Sequence, residues 1–244
     1  MPASNGNAAS GRSAAAKRRL FQPKDLITRV LVADAALSPD GETIVFGRQT
    51  VVNGEERSRL WRVPVRGGRP EPLTDADTNS TVPRFSRDGR WLGFLSDRGT
   101  REAEKVSQPW RLPIGGGEAE PFPTLPDGAD SLEWAPNGDA ILCTGSSGVH
   151  RFAVGDPKDP TARTITAPHW LSDGQGIRDP LTSAWVVPMK GEPKRVTDPA
   201  HMVSGAFWSP NGERRGVPRR SVRSATGAGP QASVVGVPIG RRRP

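Results

Sequence analysis

A short turn motif recurs along most of this chain and limits what the chain can fold into. Each copy has an apolar or aromatic residue, a small residue, a turn residue, Asp or Asn, and then Gly, as in Leu37-Ser38-Pro39-Asp40-Gly41. The other copies are residues 85–89, 134–138 and 208–212, with a degenerate copy at 170–174. Asp-Gly and Asn-Gly supply the positive φ angles that tight hairpins need. Strand-like runs follow the first three copies, at 43–46, 91–95 and 140–144, so the motif predicts antiparallel hairpins.

A second pattern follows within each unit. Trp61, Trp110 and Trp185 each precede a proline by three residues, and a glycine-containing turn comes next. A weaker version begins at Phe152. The glycines of successive turn motifs are 48, 49, 36 and 38 residues apart. Each unit therefore predicts two hairpins, or four strands, which is the size of a propeller blade.

The predicted fold is all-β: a partial β-propeller of about four four-stranded blades plus the first turn of another, with disordered basic tails. We assign residues 1–22 to a disordered basic arm, 23–213 to the partial propeller and 214–244 to an Arg/Gly/Pro-rich disordered tail. Residues 23–32 predict a short lead-in helix. The prolines after the tryptophans predict edge strands, where a missing N–H costs least. The tryptophans themselves predict packing between blades rather than a ligand platform.

The positive charge is concentrated in the two tails. Residues 1–24 hold five basic side chains, residues 214–244 hold eight, and neither segment has an acidic residue. Of the 34 basic residues, 21 therefore remain in residues 25–213, against all 26 acidic ones, a net charge of −5. The predicted propeller is acidic, which argues against specific nucleic-acid binding. No apolar run approaches the roughly 20 residues of a membrane span.

The composition changes abruptly after Gly212, where the repeat predicts a strand. Residues 213–244 are rich in arginine, glycine and proline and keep no hydrophobic periodicity, so we predict no regular structure there. We hypothesise that the reading frame shifts near residue 213. A natural basic tail is the alternative.

Several stretches resemble the propeller of prolyl-oligopeptidase-family serine peptidases, in the acylaminoacyl-peptidase and dipeptidyl-aminopeptidase branch. They are residues 23–41, 59–68, 110–116, 191–197 and 204–212. TolB-like propellers share the Ser-Pro-Asp-Gly turn, but the order and spacing of the whole series favour the peptidases. The resemblance covers about residues 23–213. It implies a propeller that caps an α/β-hydrolase domain and restricts the active site to short peptides.

No catalytic residue of that family can be carried over to this sequence. Its nucleophile lies in a G-x-S-x-G elbow. Residues 145–149 fail that pattern at the last position, and no other stretch fits it. Three histidines occur, His150, His169 and His201, with no elbow serine to activate. Cys143 follows Ile141 and Leu142 and is predicted to be a small buried strand residue.

Two groups of acidic residues suggest other sites. Glu55-Glu56 resembles the paired glutamates that hold a substrate amino terminus in dipeptidyl peptidases, but it follows Asn53-Gly54 and predicts a solvated turn. Asp75, Asp77, Asp127 and Asp130 are too scattered for a calcium loop. We therefore predict no metal, no cofactor and no catalytic site in these residues.

The sequence leaves two functions open. The first is the truncated, substrate-gating N-terminal propeller of a peptidase that lacks its hydrolase domain, inactive in peptide hydrolysis alone and meeting short peptides only when joined to that domain. The alternative is a stand-alone TolB-like propeller that binds a protein partner through an exposed blade edge. A cytoplasmic location is expected because a lone cysteine forms no internal disulfide. We also expect an open arc of blades to be marginally stable and prone to associate.

Overall fold

The fold is seen in a computed structural model that describes most of the predicted propeller. The described residues are 20–100, 106–146, 171–172, 176–177, 182–197, 202–203, 205–210, 214–220 and 232–238. His150, His169, His201 and the weaker hairpin predicted at Phe152 lie outside them. A single short helix precedes the strands in the described part, α1 (Lys24–Thr28), with Pro23 as its N-cap. It is shorter than the predicted helix because the chain is already extended at Arg29, before the first strand.

The strands form four antiparallel sheets of four strands each within the described residues. Blade 1 contains β1 (Leu31–Leu37), β2 (Thr43–Val52), β3 (Glu55–Pro64) and β4 (Glu71–Pro72). Blade 2 contains β5 (Ser80–Phe85), β6 (Trp91–Ser96), β7 (Gln108–Pro113) and β8 (Glu120–Pro121). Blade 3 contains β9 (Ser131–Trp134), β10 (Ala140–Ser146), β13 (Thr182–Pro188) and β14 (Lys194–Arg195). Between β10 and β13 in the chain, β11 (Leu171–Ser172) and β12 (Gly176–Ile177) form a separate small hairpin. Blade 4 contains β15 (Met202–Val203), β16 (Phe207–Trp208), β17 (Arg214–Arg220) and β18 (Ala232–Pro238). The predicted all-β class and the four-stranded blades are confirmed.

The repeated turn motif forms the same hydrogen-bonded hairpin in blades 1 and 2. In blade 1 the amide of Gly41 donates to the carbonyl of Ser38 at 2.9 Å, and Gly41 has a φ of 74°. The hydroxyl of Ser38 donates to Asp40 and accepts from the amide of Thr43 at 2.9 Å. Blade 2 repeats these bonds through Ser86 and Asp88. In blades 1 and 2 the turn is therefore held by a serine hydroxyl, a carboxylate and one glycine.

Blade 3 is built differently from the sequence prediction. The sequence predicts that the strand of Trp185 belongs to a unit of its own, beginning at the degenerate turn of residues 170–174. It pairs instead with β10 over seven residues, from Ala140 opposite Pro188 to Ser146 opposite Thr182. Cys143 lies opposite Trp185, just as Phe46 lies opposite Trp61 and Phe94 opposite Trp110. The separate fourth unit is therefore wrong, and residues 147–181 lie between the second and third strands of blade 3.

Blade 4 corrects the prediction for residues after 213. We expected no regular structure there, but β17 begins two residues after Gly212, as β2 does after Gly41 and β6 after Gly89. The strand pairs with β15, β16 and β18. Strand pairing uses backbone groups, which every residue except proline supplies in full, so a turn that places the chain beside an open edge can form a strand without hydrophobic periodicity. The hypothesis of a shifted reading frame stays a prediction.

The prolines that follow the tryptophans are not at sheet edges. Pro64, Pro113 and Pro188 end β3, β7 and β13, each the third of four strands with a partner on either side. The edge prediction is therefore wrong. The fourth strands, β4, β8 and β14, each pair with the third strand over only two residues. The prolines lie beyond that pairing, where the third strand donates no N–H to the fourth.

In blades 3 and 4, a tryptophan near the start of the blade donates a hydrogen bond to the preceding blade. The indole of Trp134 in β9 donates to the carbonyl of Arg84 in β5 at 2.9 Å. Trp208 in β16 donates to the carbonyl of Glu133 in β9 at 3.4 Å, the same position one blade later. Trp134 also packs edge-on against Phe122, with ring centroids 5.6 Å apart. Packing between blades, the role predicted for the tryptophans, therefore holds at these positions.

Candidate functional site

A cleft opens between blades 1 and 2 on the side where their first turns lie. It has a volume of about 790 Å³. Its apolar wall includes Val45, Leu73, Phe85 and Leu112. Its charged lining residues are Asp40, Arg62, Arg69, Glu71 and Asp88. Apolar walls with a few charged groups are typical of ligand sites.

Asp40 and Asp88, two of the carboxylates of this cleft, accept hydrogen bonds within their own turns. The Ser86 hydroxyl, with Arg90 beside it, lowers the pKa of Asp88 to about 2. The pKa of Asp40 is lowered in the same direction, chiefly by the Ser38 hydroxyl. Groups that stay ionised near neutral pH make weak general acids or bases there. Asp40 and Asp88 are therefore not suited to transferring the protons of a ligand in this cleft.

Glu133, in the first strand of blade 3, has a raised pKa rather than a lowered one. Glu133 in β9 is half-buried, and burial raises its pKa, although the Trp208 amide and Arg84 oppose the shift. The Trp208 amide donates to its carboxylate at 3.4 Å. The Glu133 carboxylate thus links β9 of blade 3 to β16 of blade 4.

Cys143 lies where the sequence predicted. It is fully buried in β10, and burial raises the pKa of its thiol far above the usual range. A nucleophilic cysteine needs a thiolate and access to substrate. Cys143 has neither, so the prediction of a small core residue is confirmed.

The acidic residues that suggested a site in the sequence lie on the surface, at the start of β3 or in loops. Asn53 and Gly54 have φ values of 54° and 83°, and Glu55 and Glu56 follow them at the exposed start of β3. Glu55 pairs with Arg57 at 2.6 Å and Glu56 with Arg29 at 3.7 Å, so both glutamates have surface partners. The four aspartates considered for calcium lie between β4 and β5 (Asp75, Asp77) and between β8 and β9 (Asp127, Asp130). Among the described residues, no cluster of three or more His, Cys, Asp or Glu side chains is placed to hold a metal ion.

Sequence reasoning missed a pair of arginines on blade 1. Arg48 in β2 lies directly opposite Arg59 in β3. The two-residue Asn53-Gly54 turn fixes this register, so the turn was the signal that could have revealed the pair.

Similarity to known proteins supports both the fold and the family resemblance. No family model matches the chain. It is 29% identical over 206 residues to the uncharacterized peptidase YuxL of Bacillus subtilis (strain 168). This match covers 80% of this chain and 30% of the relative. It is 30% identical over 79 residues to dipeptidyl-peptidase 5 of Porphyromonas gingivalis, which covers 32% of this chain and 12% of that protein. The chain therefore spans less than a third of the length of either relative.

Solved structures at low sequence identity share the fold. Acylaminoacyl peptidase of Pyrococcus horikoshii matches with a TM-score of 0.62 at 15% identity, over 87% of this chain and 31% of that one. The β-propeller domain of the Trilobed protease from Pyrococcus furiosus matches with a TM-score of 0.56 at 13% identity, over 87% of this chain and 56% of that one.

Side-by-side blades and these matches define a β-propeller. The resemblance drawn from the sequence is confirmed: the chain is similar to the propeller portion of prolyl-oligopeptidase-family peptidases. Within the ranges that the structure describes, no helix has the length and apolar character needed to cross a membrane.

Proposed function

We propose that this chain serves as the substrate-gating propeller of a serine peptidase and does not hydrolyse peptides by itself. The observation that carries the proposal is similarity to a peptidase along 80% of the chain, joined to a propeller fold that acylaminoacyl peptidase shares. The nucleophile and its histidine would come from an α/β-hydrolase domain, because the sequence has no G-x-S-x-G elbow. The partners would be short peptides, met only beside that domain.

Three features of the chain support this role over others. The two carboxylates held ionised in the cleft between blades 1 and 2 suit binding better than proton transfer. The net charge of −5 over residues 25–213 disfavours binding to nucleic acid. A lone, buried Cys143 fits a reducing compartment, so the proposal includes a cytoplasmic location.

A fluorophosphonate probe tests the catalytic half of the proposal. Such probes label activated serines, so the purified 244-residue chain should stay unlabelled and should leave acylated di- and tripeptides intact. Labelling that heat denaturation abolishes would refute the proposal.

A chimaera tests the gating half. The hydrolase domain of a peptidase relative would be joined to this chain and compared with the same hydrolase domain alone. The chimaera should cleave short peptides and exclude a folded protein substrate that the lone hydrolase domain degrades. Equal cleavage of both substrates by the two proteins would contradict gating.

A protein-binding module is a second candidate, and one observation favours it. Leu37 in β1 is 58% exposed, whereas Trp134 at the same position of blade 3 is 7% exposed. Blade 1 thus leaves open an apolar face that blade 3 covers with its neighbour. A pull-down in which Leu37→Glu releases a bound protein would support this role, and retention of the same protein would count against it.

A further inference from the structure

Blade 1 carries a like-charge pair at a position where blades 2 and 3 are neutral. Arg48 and Arg59 are directly opposed across β2 and β3. Arg59 precedes Trp61 by two residues, and this spacing locates the equivalent position in the other blades. The corresponding pair is Ser96 with Gln108 in blade 2 and Gly145 with Ser183 in blade 3. The repeat therefore forms without charge here, and like charges directly opposite each other destabilise a sheet.

Both guanidinium groups lie against the same indole. The Cζ of Arg48 is 4.9 Å from the ring centroid of Trp61, and that of Arg59 is 5.9 Å from it. The Nε of Arg59 donates to the carbonyl oxygen of Thr74, which fixes one edge of its guanidinium. Stacking and this hydrogen bond hold the two cations in place before any ligand arrives.

Little negative charge balances these cations. Within the described part of the chain, the side chain of Arg48 has no hydrogen bond or ion pair, and its guanidinium contacts the ring of Trp61. The neighbouring Arg57 is already paired with Glu55. Of the residues lining the adjoining cavity, Asp77 is the one with a carboxylate, and no ion pair joins it to an arginine.

The cavity beside the pair is large enough for a small ligand. It has a volume of about 420 Å³, and the three arginines line it together with Thr50, Trp61 and Val52. Ligand pockets commonly span about 300–1,000 Å³ and combine apolar walls with a few polar groups. An arginine fork matches the two oxygens of a carboxylate.

We propose that Arg48 and Arg59 bind the carboxylate of a peptide, with an apolar side chain of that peptide packed on Trp61 and Val52. The bound anion would neutralise the opposed cations, which explains why blade 1 tolerates them. This site goes beyond the gating role and stands or falls separately from it, because it needs no hydrolase domain.

Calorimetric titration of the full chain tests the site. The probes are acetyl-alanyl-phenylalanine with a free carboxylate, the same dipeptide as its amide, and inorganic phosphate. The acid should bind at least about tenfold more tightly than the amide, since a charge-assisted hydrogen bond contributes about 1.5–3 kcal/mol. Equal affinity for acid and amide, no binding of the acid, or binding of phosphate alone would each overturn the proposal.

Variants at the pair and away from it locate the binding. Arg48→Ser installs the residue that blade 2 has at this position, Ser96, and should weaken binding of the acid about tenfold or more. Arg66→Gln removes the same charge from an exposed arginine of blade 1, 84% accessible and paired with Glu42, and should change the affinity less than about twofold. Unchanged binding in Arg48→Ser, or an equal loss in both variants, would overturn the proposal.

A second substitution keeps the test decisive if Arg48→Ser does not fold. Arg48→Lys retains the charge but replaces the planar fork with a single ammonium. It should weaken binding of the acid about threefold or more while circular dichroism stays unchanged. Full affinity in Arg48→Lys would show that charge alone suffices and would overturn the two-oxygen contact.

Discussion

Gly93 sits at a close approach between blades 2 and 3, and enlarging it should loosen their contact. A Cβ added there would lie 2.8 Å from Nε1 of Trp134 and 2.9 Å from Cδ2 of Leu132, closer than real Cβ atoms come. Trp134 cannot swing away freely, because its indole donates to Arg84 and its ring packs on Phe122. Overpacking costs about 1–3 kcal/mol, and alanine regains about 0.5–1 kcal/mol over glycine in a strand. Gly93→Ala should therefore lower the free energy of unfolding by about 0.5–2 kcal/mol.

Urea denaturation followed by circular dichroism measures this effect. The matched control is Gly115→Ala, because no atom lies within 4 Å of a Cβ at Gly115 and its φ is not positive. The control should be as stable as the parent chain or up to about 1 kcal/mol more stable, since alanine restricts the unfolded chain. Equal stability of Gly93→Ala and Gly115→Ala would refute the close contact between the blades.

A double variant asks whether the contact with Trp134 is responsible. Trp134→Phe removes the Nε1 atom that the new methyl would meet, along with the hydrogen bond to Arg84. Gly93→Ala should therefore cost less in the Trp134→Phe background than in the parent chain, with a coupling of about 0.5–2 kcal/mol. Strict additivity would show that Trp134 does not cause the strain.

Three further predictions concern the charged and sulfur-bearing side chains. Because the Ser86 hydroxyl lowers the pKa of Asp88 from 3.8 to about 2, the stabilisation from Asp88 is present above about pH 4 and is lost as the pH falls through about 2. Asp88→Asn should therefore flatten the decline of the melting temperature over that range. The thiol of Cys143 should react with a disulfide reagent only after urea unfolds the chain, because it is buried and its pKa is raised. Glu120→Gln should cost about 1 kcal/mol in urea denaturation and Glu71→Gln under about 0.5, because the arginine partner of Glu120 is 12% exposed and that of Glu71 is 52% exposed.

The hairpins could be predicted from the sequence because their signals are local. Ser38 and Asp40 fix the first turn through bonds that span at most five residues, and Ser86 and Asp88 repeat them. The same regularity predicted the start of β6 at Trp91 and of β10 at Ala140. Turn chemistry of this kind is readable without knowing the partner strands.

The pairing of distant strands could not be predicted in the same way. β13 joins β10 across 35 intervening residues, and no local pattern specifies which strand a hairpin-like segment will meet. A degenerate turn at residues 170–174 lies inside that interval and suggested a separate unit. Long-range pairing is decided by burial, here of Cys143 and Val187, which appears only once the blade is assembled.

The arginine site could be predicted only in part from the sequence. The Asn53-Gly54 turn sets the register of β2 and β3, so the opposition of Arg48 and Arg59 follows from sequence once the turn type is assigned. The stacking of both on Trp61 and the adjoining cavity depend on side-chain packing. Sequence could have suggested the pair, but only the structure shows what surrounds it.

Replacing residues 147–181 with Asn-Gly tests the central claim, that blade 3 is one sheet interrupted by a long connection. Ser146 lies opposite Thr182, just as Val52 lies opposite Glu55 across the Asn53-Gly54 turn of blade 1. If β10 and β13 are neighbours, the shortened chain should keep the circular dichroism spectrum of the blades and a single cooperative unfolding transition in urea. Loss of that transition would mean that residues 147–181 contribute a blade of their own, and it would contradict the account.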